Sequence, residues 1–218
     1  MVESNKNTGI LYFLSTKRLH VSILLVLISN LAFPILLRLT AGVMYSFFIL
    51  VYVWIAAYAL LLFLLLKWER SSTTPLIQTS IHFAVVLVAM MIFRSVFLGL
   101  ETYISLDPLW YLDFGKFMQR GRVPFSEFYF PYPPFFAYVI YVVMFIAPAI
   151  DTFRIFAMLM DGAVILVIWK LASKQMSKVR ASTAVLAYAF LPISIIESGW
   201  NGHFEPLASF FMLLGLWF

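Results

Sequence analysis

Two acidic residues, each followed by proline, stand out in a chain of 218 residues that is 63% hydrophobic and 11% charged: Asp107-Pro108 and Glu205-Pro206. A placed carboxylate can accept or orient a proton. The Asp-Pro step also has an ordinary use, with Asp107 as helix N-cap and Pro108 at the first helical position, worth about 1 kcal/mol. One oxygen would cap and the second would stay free to accept. Glu205 is not a preferred cap residue, so a solvated loop acid near a positive helix end and a site acid are equally open. His203 lies two residues before it; that spacing is a weak metal pattern, and a solvated loop histidine is the expectation. No cofactor is fixed by these residues, and a divalent metal is left open. Asp161 falls inside an apolar run, where an ionised side chain costs a few kcal/mol and faces a cavity or a partner. Arg154, two turns earlier on the same face, and Arg94, near the end of another apolar run, are candidate partners in a structural polar contact between helices.

The elements that must position these residues are set by lipid. A soluble domain needs roughly 25% charged residues to cover its surface, and this chain has 11%. Apolar runs at 19–37, 44–66 and 76–98 are long enough to cross a hydrocarbon core of ~30 Å as helices. The first is too long for a signal-peptide core and lacks a cleavage site, so it is expected to be retained. The bases punctuate these runs: Lys6, Lys17 and Arg18 before the first, Lys67 and Arg70 after the second, Lys170, Lys174, Lys178 and Arg180 around the later ones. Such placement sets membrane orientation and leaves no basic face for nucleic acid, despite the formal net charge of +5. With the first eighteen residues cytoplasmic, the segment 99–135 lies on the extracytoplasmic side. The run 135–150 is short for a span; if it crossed, the basic stretch KLASKQMSKVR would fall outside, so an interfacial or re-entrant helix is expected there. Further spans follow at 152–169, 181–196 and 207–218, with ESGWNGHFEP as a second outer loop. The last run is too short to cross, as in an N-terminal fragment of a longer protein. The expected fold is therefore all-α, a multispanning transmembrane bundle forming one integral membrane domain over 1–218, multi-pass in a plasma or ER-type membrane. The absence of cysteine excludes disulfides, thiolate metal sites and a cysteine nucleophile.

Within the first outer loop, 105–121 reads as an amphipathic helix ending at Gly121, with Trp110, Phe114 and Phe117 on one face and Asp113, Lys116 and Arg120 on another. It is expected to lie along the bilayer with its aromatics down. The stretch FSEFYFPYPPFF is extended and stiffened by proline. Trp110, Tyr129, Tyr132 and Trp200 are expected as interfacial anchors.

Asp107, Tyr111, Gly121, Pro124-Phe125 and Tyr132-Pro133-Pro134 together form a pattern that resembles the first extracytoplasmic loop of the GT-C superfamily, multispanning glycosyltransferases that use polyprenyl-phosphate sugars. GWNGHFEPL is similar to the motif of their second outer loop, with Glu205 where Asp is usual, and RIFAMLMDGAVILVI is similar to a helix bearing an inward-facing Asp. The Asp-x-Asp form of some mannosyltransferase branches is absent. The resemblance covers about half the chain. It implies an inverting transfer of mannose or another hexose from a polyprenyl- or dolichyl-phosphate donor to a glycan, lipid or protein acceptor at the outer membrane face. It implies Asp107 as general base and Glu205 as the acid that holds the acceptor or orients the base, with Tyr111, Tyr132, His203 and Asp161 in support. Arg94, Arg122 and Arg154 are alternatives for the donor phosphate, since a planar, always-charged fork suits it. The rival classes are a transporter half, which would line its spans with polar groups and broken helices, and a non-catalytic membrane protein that binds a lipid phosphate.

Overall fold

The computed structural model describes the backbone of residues 4–40, 44–71, 76–77, 80–99 and 106–217, and side chains from residue 20 onward within those stretches, apart from 31, 40, 44–48, 71 and 80. All regular elements among the described residues are helical. They are α1 (Ser4–Thr40), α2 (Met44–Ser71), α3 (Ser80–Ser95), α4 (Asp107–Gln119), α5 (Pro134–Ile146), α6 (Ile150–Gln175), α7 (Lys178–Ala189), α8 (Pro192–Ile195), a π-helical turn (Ile196–Asn201) and α9 (Glu205–Gly215).

Three stretches are long and apolar enough to cross a membrane: His20–Leu39, Ile49–Arg70 and Ile150–Gln175. The first, second and fourth expected spans therefore correspond to helices of sufficient length. Within the expected third span, α3 has 16 residues, which at 1.5 Å each cover about 24 Å. Residues 78–79 and 100–105, which fall in the expected third span and first outer loop, lie outside the described residues. The expected span 181–196 is not one straight helix. α7 stops at Ala189, and the pair Lys178–Ala189 and Pro192–Asn201 is bent by 48°. Pro192 has no N–H for an intrahelical bond and drives the preceding residue out of helical geometry, which places the break there. The helices α5 and α9, with 13 and 11 residues, are both short apolar pieces.

The chain divides into two compact units. In the unit formed by residues 1–90 and 165–192, α1 packs on α2 and α2 on α7. Trp54 and Trp68 are buried, and Phe33 stacks on Trp54. The Tyr58 hydroxyl donates to the Ala187 carbonyl at 2.7 Å, and Arg180 Nε donates to Glu69 Oε1 at 2.9 Å. That ion pair ties the end of α2 to the start of α7.

The second unit, residues 91–164 and 193–218, holds the candidate site. Its apolar core is built from Tyr111 of α4, Ile140, Val143 and Met144 of α5, Phe153 of α6, and Phe130 and Phe204 from the connecting segments. The inward face of α4 is Pro108, Tyr111 and Gly115. This corrects the expectation that Trp110, Phe114 and Phe117 form one membrane-directed stripe. Phe114 packs on Phe128, Phe130 and Tyr132, and Phe117 on Phe128, because the segment after α4 folds back over them; Trp110 alone of the three stays exposed. Gly115 permits the α4–α5 approach, since a Cβ there would stand 2.3 Å from Met144 Cγ.

Candidate functional site

Asp107 opens α4, but it does not cap it. The residue at the cap position is Leu106, in helical conformation, and no side-chain cap bond is made. The expected cap position is thus corrected: Leu106 is already helical, and Asp107 sits inside the first turn. Its Oδ2 lies 3.4 Å from Nε2 of His203. A chain of hydroxyls meets the same carboxylate, with Tyr111 donating to Tyr132 and Tyr132 donating to Asp107. Burial, followed by the nearby negative charge, pushes both phenols well above their ordinary range, so they remain proton donors. Tyr111 is held rigidly by a stacked Phe204 ring at 4.6 Å and an edge contact with Tyr132.

His203 is the hub. It is 8% exposed, so the expectation of a solvated loop histidine is corrected. The reason is local: the π-helical turn ends at Gly202, whose φ of +68° lets the chain reverse so that the His203 N–H donates to the Glu197 carbonyl at 2.9 Å. That reversal also brings the Glu197 carboxylate onto His203 Nδ1, and Glu205 Oε2 stands 3.6 Å from the same nitrogen. Burial pulls the imidazole down, but the hydrogen bond and charge of Glu197, with the charges of Glu205 and Asp107, outweigh it and hold the ring above its ordinary range. Nε2 is buried without a well-aligned hydrogen-bond partner. Glu197 was not singled out from the sequence. Its signal was present, as an acid at the end of an apolar run followed by two glycines, but only the π-helical geometry turns it back onto His203.

The arginines separate. Arg94 and Asp161 are both fully buried, with Nε 2.8 Å from Oδ2. The hydroxyls of Ser194 and Ser198 also donate to that Asp161 oxygen, at 2.8 and 2.6 Å. Arg94 therefore serves a helix-to-helix contact, and Asp161 pairs with it rather than with Arg154. Arg154, likewise buried, donates from Nε to the Trp200 carbonyl at 2.7 Å and from Nη1 to the Phe97 carbonyl at 3.2 Å, and pairs with Asp151 at 2.9 Å. Both groups lock the π-helical turn to α3 and α6. The proposed phosphate role for Arg94 and Arg154 thus meets guanidinium groups already committed to internal partners. Trp200 is buried and stacked on Phe97 at 5.1 Å, which corrects its expected place as an interfacial anchor. Arg122 differs from the other two: it is exposed, lies over the Phe117 ring at 5.0 Å, donates from Nη2 to the Glu127 carbonyl, and lines a pocket of about 520 Å³ walled by Met118, Val123, Phe125, Pro134 and Tyr138. Phe125 in that wall has a φ of +69°, which is strained for a bulky side chain.

The tertiary structure thus gathers Asp107, Tyr111, Tyr132, His203 and Glu205, adds Glu197, and sets Arg94, Arg154 and Asp161 in structural roles. No protein-family model, curated protein or solved structure matches this chain.

Proposed function

We propose that this protein is a membrane glycosyltransferase of the GT-C kind, moving a hexose from a polyprenyl- or dolichyl-phosphate donor to a glycan, lipid or protein hydroxyl at the extracytoplasmic face. The observation that carries the reading is Asp107, a carboxylate in the first turn of α4 that meets Tyr132 and His203 beside Glu197 and Glu205. As the acceptor oxygen bonds to the anomeric carbon, its proton passes to Asp107. The bond from that carbon to the phosphate oxygen breaks, and its electron pair stays on the lipid phosphate. A phosphate is a good leaving group when its charge is met, so the chemistry requires a base but no general acid. His203 and Tyr132 keep Asp107 oriented. Arg122, exposed beside an apolar pocket, is the cation best suited to a phosphate joined to a lipid tail. The ion pair of Glu69 with Arg180 supports the topology, because it holds the basic last turn of α2 beside the first turn of α7, as same-side placement requires.

The test is incorporation of labelled sugar from polyprenyl-phosphate donors by membranes carrying the full-length protein. Transfer is expected to drop by a factor of a hundred or more in Asp107→Asn, on the order of the loss of a general base. Equal transfer by this variant and the parent would overturn the assignment.

A further inference from the structure

The cluster around His203 has a second chemical capacity, independent of whether the chain transfers sugar. Three carboxylates from three elements face one imidazole: Asp107 from α4, Glu197 from the π-helical turn and Glu205 from α9. Three carboxylates gathered around one largely buried imidazole present an excess of acceptor oxygens, which a bound cation can satisfy.

Geometry favours the cation. One ligand atom from each of Glu197, His203 and Glu205 lies within 4.8 Å of the other two. The gap from Glu205 Oε2 to His203 Nδ1 is 3.6 Å, and two donors on one tetrahedral ion at ~2.1 Å stand roughly 3.4 Å apart. The opposite edge of the ring supplies an independent observation. Nε2 is buried and, among the described residues, has no hydrogen-bond partner, although Asp107 Oδ2 is only 3.4 Å away. A metal on Nδ1, taking the place of the Glu197 hydrogen bond, leaves the ring N–H on Nε2, on the edge that faces Asp107. A carboxylate, an imidazole and a metal in line is a recurrent arrangement, in which the carboxylate fixes the tautomer and raises the basicity of the ligand.

We propose that Glu197, His203 through Nδ1, and Glu205 bind one divalent transition-metal ion, with Asp107 orienting the imidazole from the other edge of the ring. One nitrogen and two carboxylates suit zinc or manganese better than calcium. Three protein ligands leave a coordination position open for water or an oxygen of a bound ligand. Glu205, 65% exposed at its side chain, is the donor that must swing inward to close the set.

The experiment uses the full chain purified in detergent with a tag free of histidine, stripped with a chelator and reloaded with zinc or manganese alone. Wild type is expected to retain one metal per chain after dialysis, with zinc bound more tightly than manganese. Glu205→Gln, a change at an exposed side chain that leaves folding intact, lowers affinity at least tenfold, and His203→Ala abolishes retention. Asp107→Asn keeps the stoichiometry and weakens affinity by about 10–100-fold, the range for loss of a carboxylate behind a ligand histidine. Pulsed electron paramagnetic resonance of the manganese form shows nitrogen coupling in wild type and none in His203→Ala. The proposal is overturned if wild type and His203→Ala hold equal metal, or if nitrogen coupling is missing in wild type. Sugar transfer is not read in any arm, so its failure leaves these outcomes untouched.

Discussion

Arg94 and Asp161 form a fully buried ion pair at 2.8 Å, and the same aspartate oxygen accepts from Ser194 and Ser198. Four elements, α3, α6, α8 and the π-helical turn, meet at this one atom. Breaking a buried pair strands the other charge, which costs about 3–5 kcal/mol, whereas replacing both partners by apolar residues is often neutral. Asp161→Ala is therefore expected to lower stability by that amount, and Arg94→Met with Asp161→Leu to recover most of it. Denaturant titration in detergent checks this. A double variant no more stable than Asp161→Ala would refute the pairing as the source of the loss.

The π-helical turn depends on small residues at its contacts. A Cβ on Gly199 would stand 3.0 Å from the Arg94 carbonyl oxygen, which is backbone and cannot yield. A Cβ on Gly115 would stand 2.3 Å from Cγ of the buried Met144. Both Gly199→Ala and Gly115→Ala are expected to cost about 1–3 kcal/mol, the first because backbone must move and the second because Met144, buried in the core, must be displaced from its Cγ outward. The midpoints of unfolding of the two variants test this.

Because Asp107 stands in the first turn of α4 rather than at its cap position, Asp107→Ala is expected to leave the unfolding midpoint little changed, where replacing a capping aspartate by alanine would cost about 1 kcal/mol. Activity and stability should separate at this residue. A parallel loss of both would return Asp107 to a structural role.

Tyr132 donates to Asp107, and Tyr111 to Tyr132. Tyr132→Phe is expected to lower kcat of sugar transfer roughly tenfold with KM little changed, a loss of about 1.4 kcal/mol in transition-state stabilisation. Tyr111→Phe should act more weakly, since it touches the carboxylate through another hydroxyl. Steady-state kinetics with labelled donor distinguish them, and a larger effect from Tyr111→Phe would contradict the order of the relay.

The chain has no cysteine, so a single introduced one reports sidedness directly. Cysteines replacing Lys67 and Met176 should react with a membrane-impermeant reagent only after the cytoplasmic side is opened, and one replacing Asp113 should react in intact cells. Labelling of Asp113→Cys from the cytoplasmic side alone would end the proposal of an extracytoplasmic site.

Much of this was legible in the residues alone. Low charge and long apolar runs dictate helices in lipid, because a backbone in hydrocarbon must satisfy its own hydrogen bonds, and three sufficiently long helices fall within or around expected runs. Asp107, His203 and Glu205 were visible as acids and an imidazole beside turn-forming residues. Their meeting was not legible, because it joins segments distant in sequence through a π-helical turn that no apolar period announces. Glu197 went unnoticed for the same reason. The partner of Asp161 was likewise undecided: helical spacing favours Arg154, four and three residues at a time, but only packing between helices brings Arg94 to it. Periodicity reports which way a side chain faces along its own helix; which charge stands opposite is decided by how the helices close around it.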